Sequence, residues 1–375
     1  MIYLHIPFCK SFCIYCGFYS EICKSGTTAF KTFEKSVLKE IALREKDIIE
    51  TLPETTGSSK KNTFYIGGGT PSVLPFHILK SIFNSINKVV TDFYSTDNQY
   101  DEFTIEVNPE DIVQKGEKYV EELICLGVNR VSMGVQSFDD SILKWMNRRH
   151  SADMAIRAYE ILKKSGIKNI SIDLIFGFSG LTEKIWQKTI DTAISLNPEH
   201  ISAYQLSIDE NSALDSMISQ GKYQETVEED CRMQYDILCR TLAGKGYGHY
   251  EISNFAKPGF VAIHNSAYWE RVPYVGLGPG AHSFTGTKRL WNTKSISSYD
   301  LEYETLSQEE VSIERIMLNL RTDKGCDQSF LLSYCDNKML NKLLKDGFLV
   351  KTLHDKIRIP EKHFFISDDI IKQLI

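Results

Sequence analysis

The sequence predicts an α/β protein: a partial (β/α)6 barrel, then a smaller α+β module, then a winged-helix-like C-terminal tail. Three observations support this fold class. Short β-rich runs alternate with runs of helical periodicity up to about residue 210. The alternation stops after residue 225, and the end of the chain follows a helix-helix-hairpin order. We therefore expect three units, over residues 1–225, 226–305 and 306–375.

Six β-rich runs account for the barrel. Each is short, apolar and rich in β-branched or aromatic residues, and helical periodicity follows most of them. The expected strands cover residues 2–6, 63–67, 103–107, 130–135, 169–176 and 200–206. The expected helices cover residues 30–52, 76–90, 117–127, 151–166 and 182–196. Right-handed crossovers make such repeats a parallel sheet, and the functional site of the closed barrel should lie at the C-terminal strand ends.

The segments outside the barrel repeats are less regular. A polar stretch at residues 55–62 predicts a surface loop. A helix is expected over residues 228–246, and the aromatic and glycine-rich residues 247–284 predict an irregular module. The tail lacks a basic recognition helix, so its winged-helix-like pattern does not predict DNA binding.

Composition and charge exclude several classes of protein. The chain has 375 residues, of which 42% are hydrophobic and 25% charged, as in globular proteins. Its 43 basic and 49 acidic residues give a net charge of -6, which does not favour nucleic acid as a partner. The N-terminal apolar run lacks a basic region before it and is broken at Lys10. It therefore predicts neither a signal peptide nor a spanning helix, and we expect a cytoplasmic protein.

Three of the nine cysteines form a metal-ligand pattern directly after the first strand. Cys9, Cys13 and Cys16 have the spacing C-x3-C-x2-C, which is poor geometry for disulfides. Three thiolates can ligate three irons of a [4Fe-4S] cluster and leave the fourth iron open to a ligand. A zinc site completed by Cys23 or His5 is the alternative. The other cysteines lack cluster-like spacing and are expected to be structural.

Glycines and polar residues follow the next strands at the same predicted end of the barrel. Gly67, Gly68 and Gly69 follow the second strand with Thr70, and the absence of side chains lets a ligand approach the backbone. Glu106 ends the third strand and Gln136 follows the fourth. Both predict polar contacts to a ligand, although buried and satisfied polar groups are the alternative.

The segment YLHIPFCKSFCIYCGFYS resembles the signature of the radical S-adenosylmethionine (SAM) enzymes. It is most similar to the branch that holds the oxygen-independent coproporphyrinogen oxidases and the heme chaperones of the HemW type. The resemblance implies a [4Fe-4S] cluster on the three cysteines, with SAM bound at the open iron. It also implies SAM contacts from Tyr3, Tyr15, Gly68, Gly69, Thr70, Glu106, Gln136, Arg148, Asp173, Ile175 and Ser207. The segment FGFSGLT departs from the family because it lacks the usual proline.

Two features favour the heme chaperones over the oxidases. Phe18 stands where the oxidases carry a further cysteine, and the chain begins eight residues before Cys9, without the oxidases' N-terminal extension. The segment HNSAYW matches the HNxxYW motif of the chaperones. The resemblance implies heme binding, with candidate residues His264, Asn265, Tyr268, Trp269 and, in GAHSF, His282.

The leading hypothesis is therefore a heme chaperone that carries a [4Fe-4S] cluster, SAM and heme and delivers heme to hemoproteins, with membrane respiratory complexes among the candidate acceptors. The alternatives are an oxygen-independent coproporphyrinogen III oxidase, a heme-degrading radical SAM methyltransferase and a zinc-stabilised binding protein. The sequence leaves open whether SAM is cleaved and whether the chain forms a homodimer.

Overall fold

A computed structural model of the chain describes residues 1–23, 27–53, 61–94, 100–210 and 212–375. Most of the loop predicted at residues 55–62 lies outside the described residues. The strands are β1 Ile2–Ile6, β2 Phe8–Cys9, β3 Glu21–Ile22, β4 Thr63–Gly68, β5 Glu102–Val107, β6 Arg130–Gln136, β7 Asn169–Phe176, β8 His200–Gln205, β9 Gly248–Glu251, β10 Asn254–Ala256, β11 Val275–Leu277, β12 His282–Phe284, β13 Lys288–Asn292, β14 Leu301–Thr305, β15 Cys326–Asp327, β16 Val350–Lys351 and β17 Lys356–Arg358.

The helices follow the same alternation. They are α1 Thr27–Leu43, α2 Glu45–Glu50, α3 Phe76–Tyr94, α4 Pro109–Leu126, α5 Asp140–Trp145, α6 Ala152–Lys164, α7 Glu183–Ser195, α8 Ala213–Ser219, α9 Glu228–Ala243, α10 Ile263–Trp269, α11 Gln308–Asn319, α12 Gln328–Tyr334, α13 Asn337–Lys345 and α14 Ser367–Lys372, with short 3-10 helices at Pro71–Val73 and Glu361–Ile366.

The predicted barrel is confirmed. Its six strands run parallel in the order β1-β4-β5-β6-β7-β8, within one residue of each predicted boundary. The outward side chains of these strands are apolar and pack under the helices, as with the buried rings of Phe64 and Phe103, whose centroids lie 4.8 Å apart. This apolar layer between sheet and helices is the main core.

The inward side chains of the barrel are polar. Ser132 of β6 donates to Asp173 of β7 at 2.7 Å, and Tyr65 of β4 donates to Glu106 of β5 at 2.8 Å. Arg130, only 1% exposed, lies at the start of β6. Because hydrogen-bonding groups face one another across the interior, the barrel is built to hold a polar ligand.

Three local expectations are corrected. The predicted first helix is broken into α1 and α2 at Arg44, whose guanidinium turns inward to bond Glu40, Ser283 and the carbonyl of Gly276. Helical residues begin earlier than predicted, at Pro109, because Asn108 caps them by accepting from the Glu110 amide; Gly116, with a non-helical φ of 68° and ψ of -169°, divides α4, so the helix predicted from residue 117 begins directly after this break. Residues 247–284 are not irregular, since they contain β9 to β12 and α10.

The second module extends the sheet of the barrel at both edges. Strand β11 pairs in parallel with β1, and β10 pairs antiparallel with β8, which gives a nine-stranded sheet of order β11-β1-β4-β5-β6-β7-β8-β10-β9. The division at residues 225 and 305 stays a prediction, but β9, β10 and β11, which follow residue 225, belong to the sheet that the barrel begins. Strands β12 to β14 form a separate antiparallel sheet.

The tail has the expected order of elements. Helices α11 to α13 precede the β16–β17 hairpin, β15 joins that hairpin in a three-stranded sheet, and α14 closes the chain. Within the described residues, no helix is both long and apolar enough to cross a membrane.

Glu251, at the end of β9, makes stability depend on pH. It is 0% exposed, its Oε1 has no hydrogen-bond partner among the described residues, and burial raises its pKa from 4.5 to about 7. As pH rises from 4.5, the unfolded chain ionises first, so the folded state loses stability until about pH 7.

We expect Glu251→Gln to stabilise the fold at pH 8 by about 2 to 3 kcal/mol, because the amide stays neutral. The gain should vanish near pH 4.5. Urea unfolding at both pH values measures it, with the exposed Glu229→Gln as control. An equal effect at the two pH values would contradict this account of Glu251.

Candidate functional site

A cavity of about 510 Å³ opens at the C-terminal ends of the barrel strands. The three clustered cysteines line it together with most of the polar residues predicted for a ligand site. The predicted residues that line it are Cys9, Cys13, Cys16, Tyr15, Gly68, Gly69, Thr70, Glu106, Gln136, Arg148, Asp173, Ile175 and Ser207. Tyr3, expected among them, lies instead beside Tyr65 in a neighbouring cavity, where its hydroxyl meets His5 at 3.1 Å.

The loop that carries the cysteines is tied to distant parts of the chain. The amide of Gly17 donates to Asp209 Oδ2 at 2.9 Å, and the amide of Leu214 donates to the carbonyl of Ile14 at 2.8 Å. On the other side, Lys10 forms an ion pair with the buried Asp111 at 2.7 Å. These contacts fix the loop over the cavity.

The three thiols line one cavity. Among the described residues, no three His, Cys, Asp or Glu side chains are grouped to hold one metal ion. Burial raises the pKa of Cys9, and it raises the pKa of Cys16 to about 11. Metal ligation requires thiolates, so loading of the site must release protons.

Both Arg148 and Arg149 line the cavity, but Arg148 is the one that donates a hydrogen bond to a cysteine. Its Nη1 donates to Cys13 Sγ at 3.3 Å and its Nη2 to the carbonyl of Gly134 at 2.6 Å, while its buried Nε has no partner among the described residues. Arg149 is instead paired with Glu110 and Asp111. Arg148 therefore supplies the positive charge beside the thiols.

The glycine segment is shaped by close packing. Gly68 has a φ of 114°, and a β-carbon there would lie 2.7 Å from the His5 ring. At Gly69 a β-carbon would lie 2.8 Å from the Phe8 carbonyl oxygen. The amides of Gly69 and Thr70 donate to the carbonyls of Ile6 and Phe8, both at 2.8 Å. The segment thus holds the start of the cysteine loop as well as lining the cavity.

Two half-buried carboxylates, Glu106 and Asp173, line the same cavity as the cysteine loop. Burial raises the pKa of Glu106 to about 7, against the opposing effect of its bond from Tyr65. Burial also raises the pKa of Asp173, which accepts hydrogen bonds from Ser132 at 2.7 Å and Ser171 at 2.9 Å. A cation bound between them would favour their ionised forms, so this wall suits a positively charged ligand.

His264 of the HNSAYW segment lies at the opposite end of the barrel from the cysteines. It is 0% exposed, and its Nδ1 meets Thr63 Oγ1 at 2.7 Å while its Nε2 meets Tyr268 Oη at 2.9 Å. Its amide donates to Glu102 at 3.0 Å. Both ring nitrogens are engaged, so a heme role for His264, which stays a prediction, would require its imidazole to leave these partners.

The other HNSAYW residues line a cavity of about 580 Å³ that also contains Tyr3 and Tyr65. These residues are Asn265, Tyr268 and Trp269. His282 lies elsewhere, exposed on β12 beside Trp291 at a ring distance of 6.4 Å. The predicted heme residues therefore divide into a group around this cavity, in which His264 alone is buried, and one exposed histidine outside it.

Comparisons with known proteins agree with this site. The model of the radical SAM superfamily matches residues 3–193. The heme chaperone HemW of Bacillus subtilis (strain 168) is 33% identical over 334 residues, 86% of this chain and 83% of that protein. This protein belongs to the radical SAM superfamily, in the HemW family. HemW of Lactococcus lactis subsp. lactis (strain IL1403) is 28% identical over 389 residues, 100% of this chain and 96% of that protein.

The fold of this HemW family member is also similar to a solved structure. Coproporphyrinogen III oxidase (HemN) from Escherichia coli superposes with a TM-score of 0.76 and 20% identity, covering 99% of this chain and 89% of that one. The likeness shows a shared fold. A [4Fe-4S] cluster and SAM are the cofactors that the radical SAM superfamily implies.

Sequence reasoning missed some residues of this radical SAM site. Asp209 and Asn147 both line the cavity, and Asn147 donates to the carbonyl of Phe12 at 2.6 Å. Asn147 has a φ of 58°, which Asn tolerates better than most residues. No local pattern marks either one, because each contacts a loop more than a hundred residues away in the chain.

We expect Asp209→Ala to loosen the cluster loop of this HemW family member, because the Gly17 amide loses its acceptor. One such bond contributes about 1 kcal/mol, so chelator-driven iron loss should speed up roughly fivefold. Asp209→Asn keeps an acceptor oxygen and serves as the matched control. Equal rates of iron loss in the alanine variant and the wild type would show that the contact does not hold the loop.

Proposed function

We propose that this protein is a heme chaperone that holds a [4Fe-4S] cluster and SAM at the barrel mouth, binds heme and transfers it to hemoproteins. The observation that carries the proposal is the full-length similarity to HemW heme chaperones, combined with a cavity that gathers the three cysteines and the polar strand ends. When bound and reduced, the cluster supplies the electron that can cleave SAM.

The residues present fit the cluster. Cys9, Cys13 and Cys16 would each supply one thiolate, and together they line a cavity with room for more than one ion. Arg148 would offset the negative charge that three thiolates bring into a partly buried site. Cys23 packs against the core, so we do not propose it as a fourth ligand.

The residues present also fit SAM, which is cationic at its sulfonium and amino groups. Glu106 and Asp173 would hold the positive part of the molecule, and the unpartnered Arg148 Nε would serve its carboxylate. Gln136, with a φ of 68° at the irregular end of β6, would present its amide to the same ligand. Tyr15, Gly68, Gly69, Thr70, Ile175 and Ser207 would complete the walls.

A residue at the rim of the cavity favours the chaperone hypothesis over the oxidase hypothesis. Phe18, at the position where the oxidases carry a cysteine, is 72% exposed on this rim. An exposed aromatic side chain cannot serve as a metal ligand. We further propose a cytoplasmic protein that passes heme to membrane respiratory complexes among its acceptors.

Metal analysis tests the cluster assignment. We expect about four irons and four sulfides per chain after anaerobic reconstitution, where zinc binding would give about one zinc. Cys9→Ala, Cys13→Ala and Cys16→Ala should each lose the brown chromophore, and Cys125→Ala, at an exposed position on α4, should keep it. Retention of the chromophore in the first three variants would remove the assignment.

Mass spectrometry of tetrapyrroles tests the chaperone function. The reconstituted protein is incubated without oxygen with SAM, a reductant, coproporphyrinogen III and heme. We expect both tetrapyrroles to be recovered unchanged, with heme carried on the protein, because Cys9, Cys13 and Cys16 are the only cysteines among the described residues that line the cavity. The divinyl product would identify an oxidase, and an opened heme ring would identify a degrading methyltransferase.

A further inference from the structure

Two cavities of the second module meet at Tyr268. One is the 580 Å³ cavity described above, here called the carboxylate cavity, which includes Glu106 and Glu251. The other measures about 480 Å³ and is here called the arginine cavity; it is lined by Tyr268, Arg271, Tyr274, His282, Phe284 and Arg289 among others. Both volumes fall within the usual range of small-molecule sites.

The two cavities differ in the charge of their lining residues, and this charge matters for heme because heme carries two propionate groups. Glu106 and Glu251 offer propionates no positive charge, and no lysine or arginine is among the described residues that line the carboxylate cavity. The arginine cavity offers Arg271, Arg289 and Arg321 against one lining carboxylate, Glu314. An anionic porphyrin is therefore better accommodated in the arginine cavity.

The present ion-pair partners of these arginines can be replaced by propionates. Arg271 and Arg289 are both paired with Glu314, so one carboxylate serves two guanidiniums. Arg289 also pairs with Glu304 at 3.2 Å and Arg321 with Asp368 at 2.7 Å. Glu304 and Asp368 lie at the surface, where ion pairs contribute little, and propionates can compete for the same donors.

The two candidate histidines differ in whether their rings are available to bind iron. Both ring nitrogens of His264 are hydrogen-bonded inside the fold. The ring of His282 is exposed beside the arginine cavity, and the hydrogen bonds of the described residues do not include it. Partial desolvation of the ring by its neighbours, helped by nearby Lys294 and Arg289, lowers the pKa of His282 from 6.5, so its imidazole is neutral at pH 7 and can bind iron.

We propose that heme binds in the arginine cavity with His282 as an axial ligand. Arg271 and Arg289 would hold the propionates, and Tyr274 and Phe284 would contact the porphyrin face; Arg271 already lies 4.8 Å from the Phe284 ring. The inference rests on the proposed heme chaperone function. It leaves one edge of the heme at the surface, as transfer to another protein requires.

In this arrangement His264 is a positioning residue. Its bond to Tyr268 fixes a ring that packs edge-on against Tyr274, with centroids 4.7 Å apart, and so builds the wall shared by the two cavities. The HNSAYW segment would then form one wall of the heme site and would not ligate iron.

Hemin titration of the full-length, cluster-loaded protein tests the ligand. The wild type should give a histidine-ligated Soret spectrum with one heme per chain. His282→Ala should lose that spectrum and bind hemin more weakly by about tenfold or more, since even changes around a metal ligand cost about that much. Added imidazole should restore the spectrum, whereas His77→Ala, an exposed control on α3, should match the wild type.

A second variant separates the two histidines. His264→Gln keeps a side chain that can bond Thr63 or Tyr268, and it should retain the histidine-ligated spectrum. An unchanged spectrum and affinity in His282→Ala, or loss of the spectrum in His264→Gln with imidazole rescue, would overturn the assignment. Absence of heme binding by the wild type would instead overturn the proposed function.

Discussion

An incomplete barrel leaves two strand edges unpaired, and the arrangement of this protein follows from how those edges are closed. Exposed strand edges are open to pairing with other chains. Here β11 covers β1 and β10 covers β8, both from the second module. Helix α10 lies between these strands in the chain, and the Glu102 carboxylate accepts its first amides at 2.7 and 3.0 Å. Closing the barrel thus brings the HNSAYW segment against it.

The barrel cavity and the arginine cavity differ in charge. Glu106 and Asp173 line the barrel cavity, whereas Arg271, Arg289 and Arg321 line the arginine cavity, and the two cavities share no lining residue. The carboxylate cavity lies between them, since it shares Glu106 with the first and Tyr268 with the second. The proposed SAM and heme sites would therefore hold ligands of opposite charge without competing for the same groups.

The sequence predicted the parts of the fold that depend on local patterns. Strand periodicity located all six barrel strands, and the cysteine spacing together with the strand ends located most of the cavity. The break at Arg44 and the sheet contacts of residues 247–284 escaped prediction, because both depend on partners far away in the chain. The burial of His264 could not be predicted either, because no local pattern distinguishes a buried histidine from an accessible one, and its heme role stays a prediction.

The contact between Gly17 and Asp209 also has a consequence for biosynthesis. The two residues are 192 positions apart, and at about 5 to 20 residues per second a ribosome takes roughly 10 to 40 seconds to span that distance. During this interval the cysteines have left the ribosome, but the segment that holds their loop has not been made. The bond that holds the cysteine loop can therefore form only after the last barrel strand has been made, so the cluster site is complete only once the whole barrel has been translated.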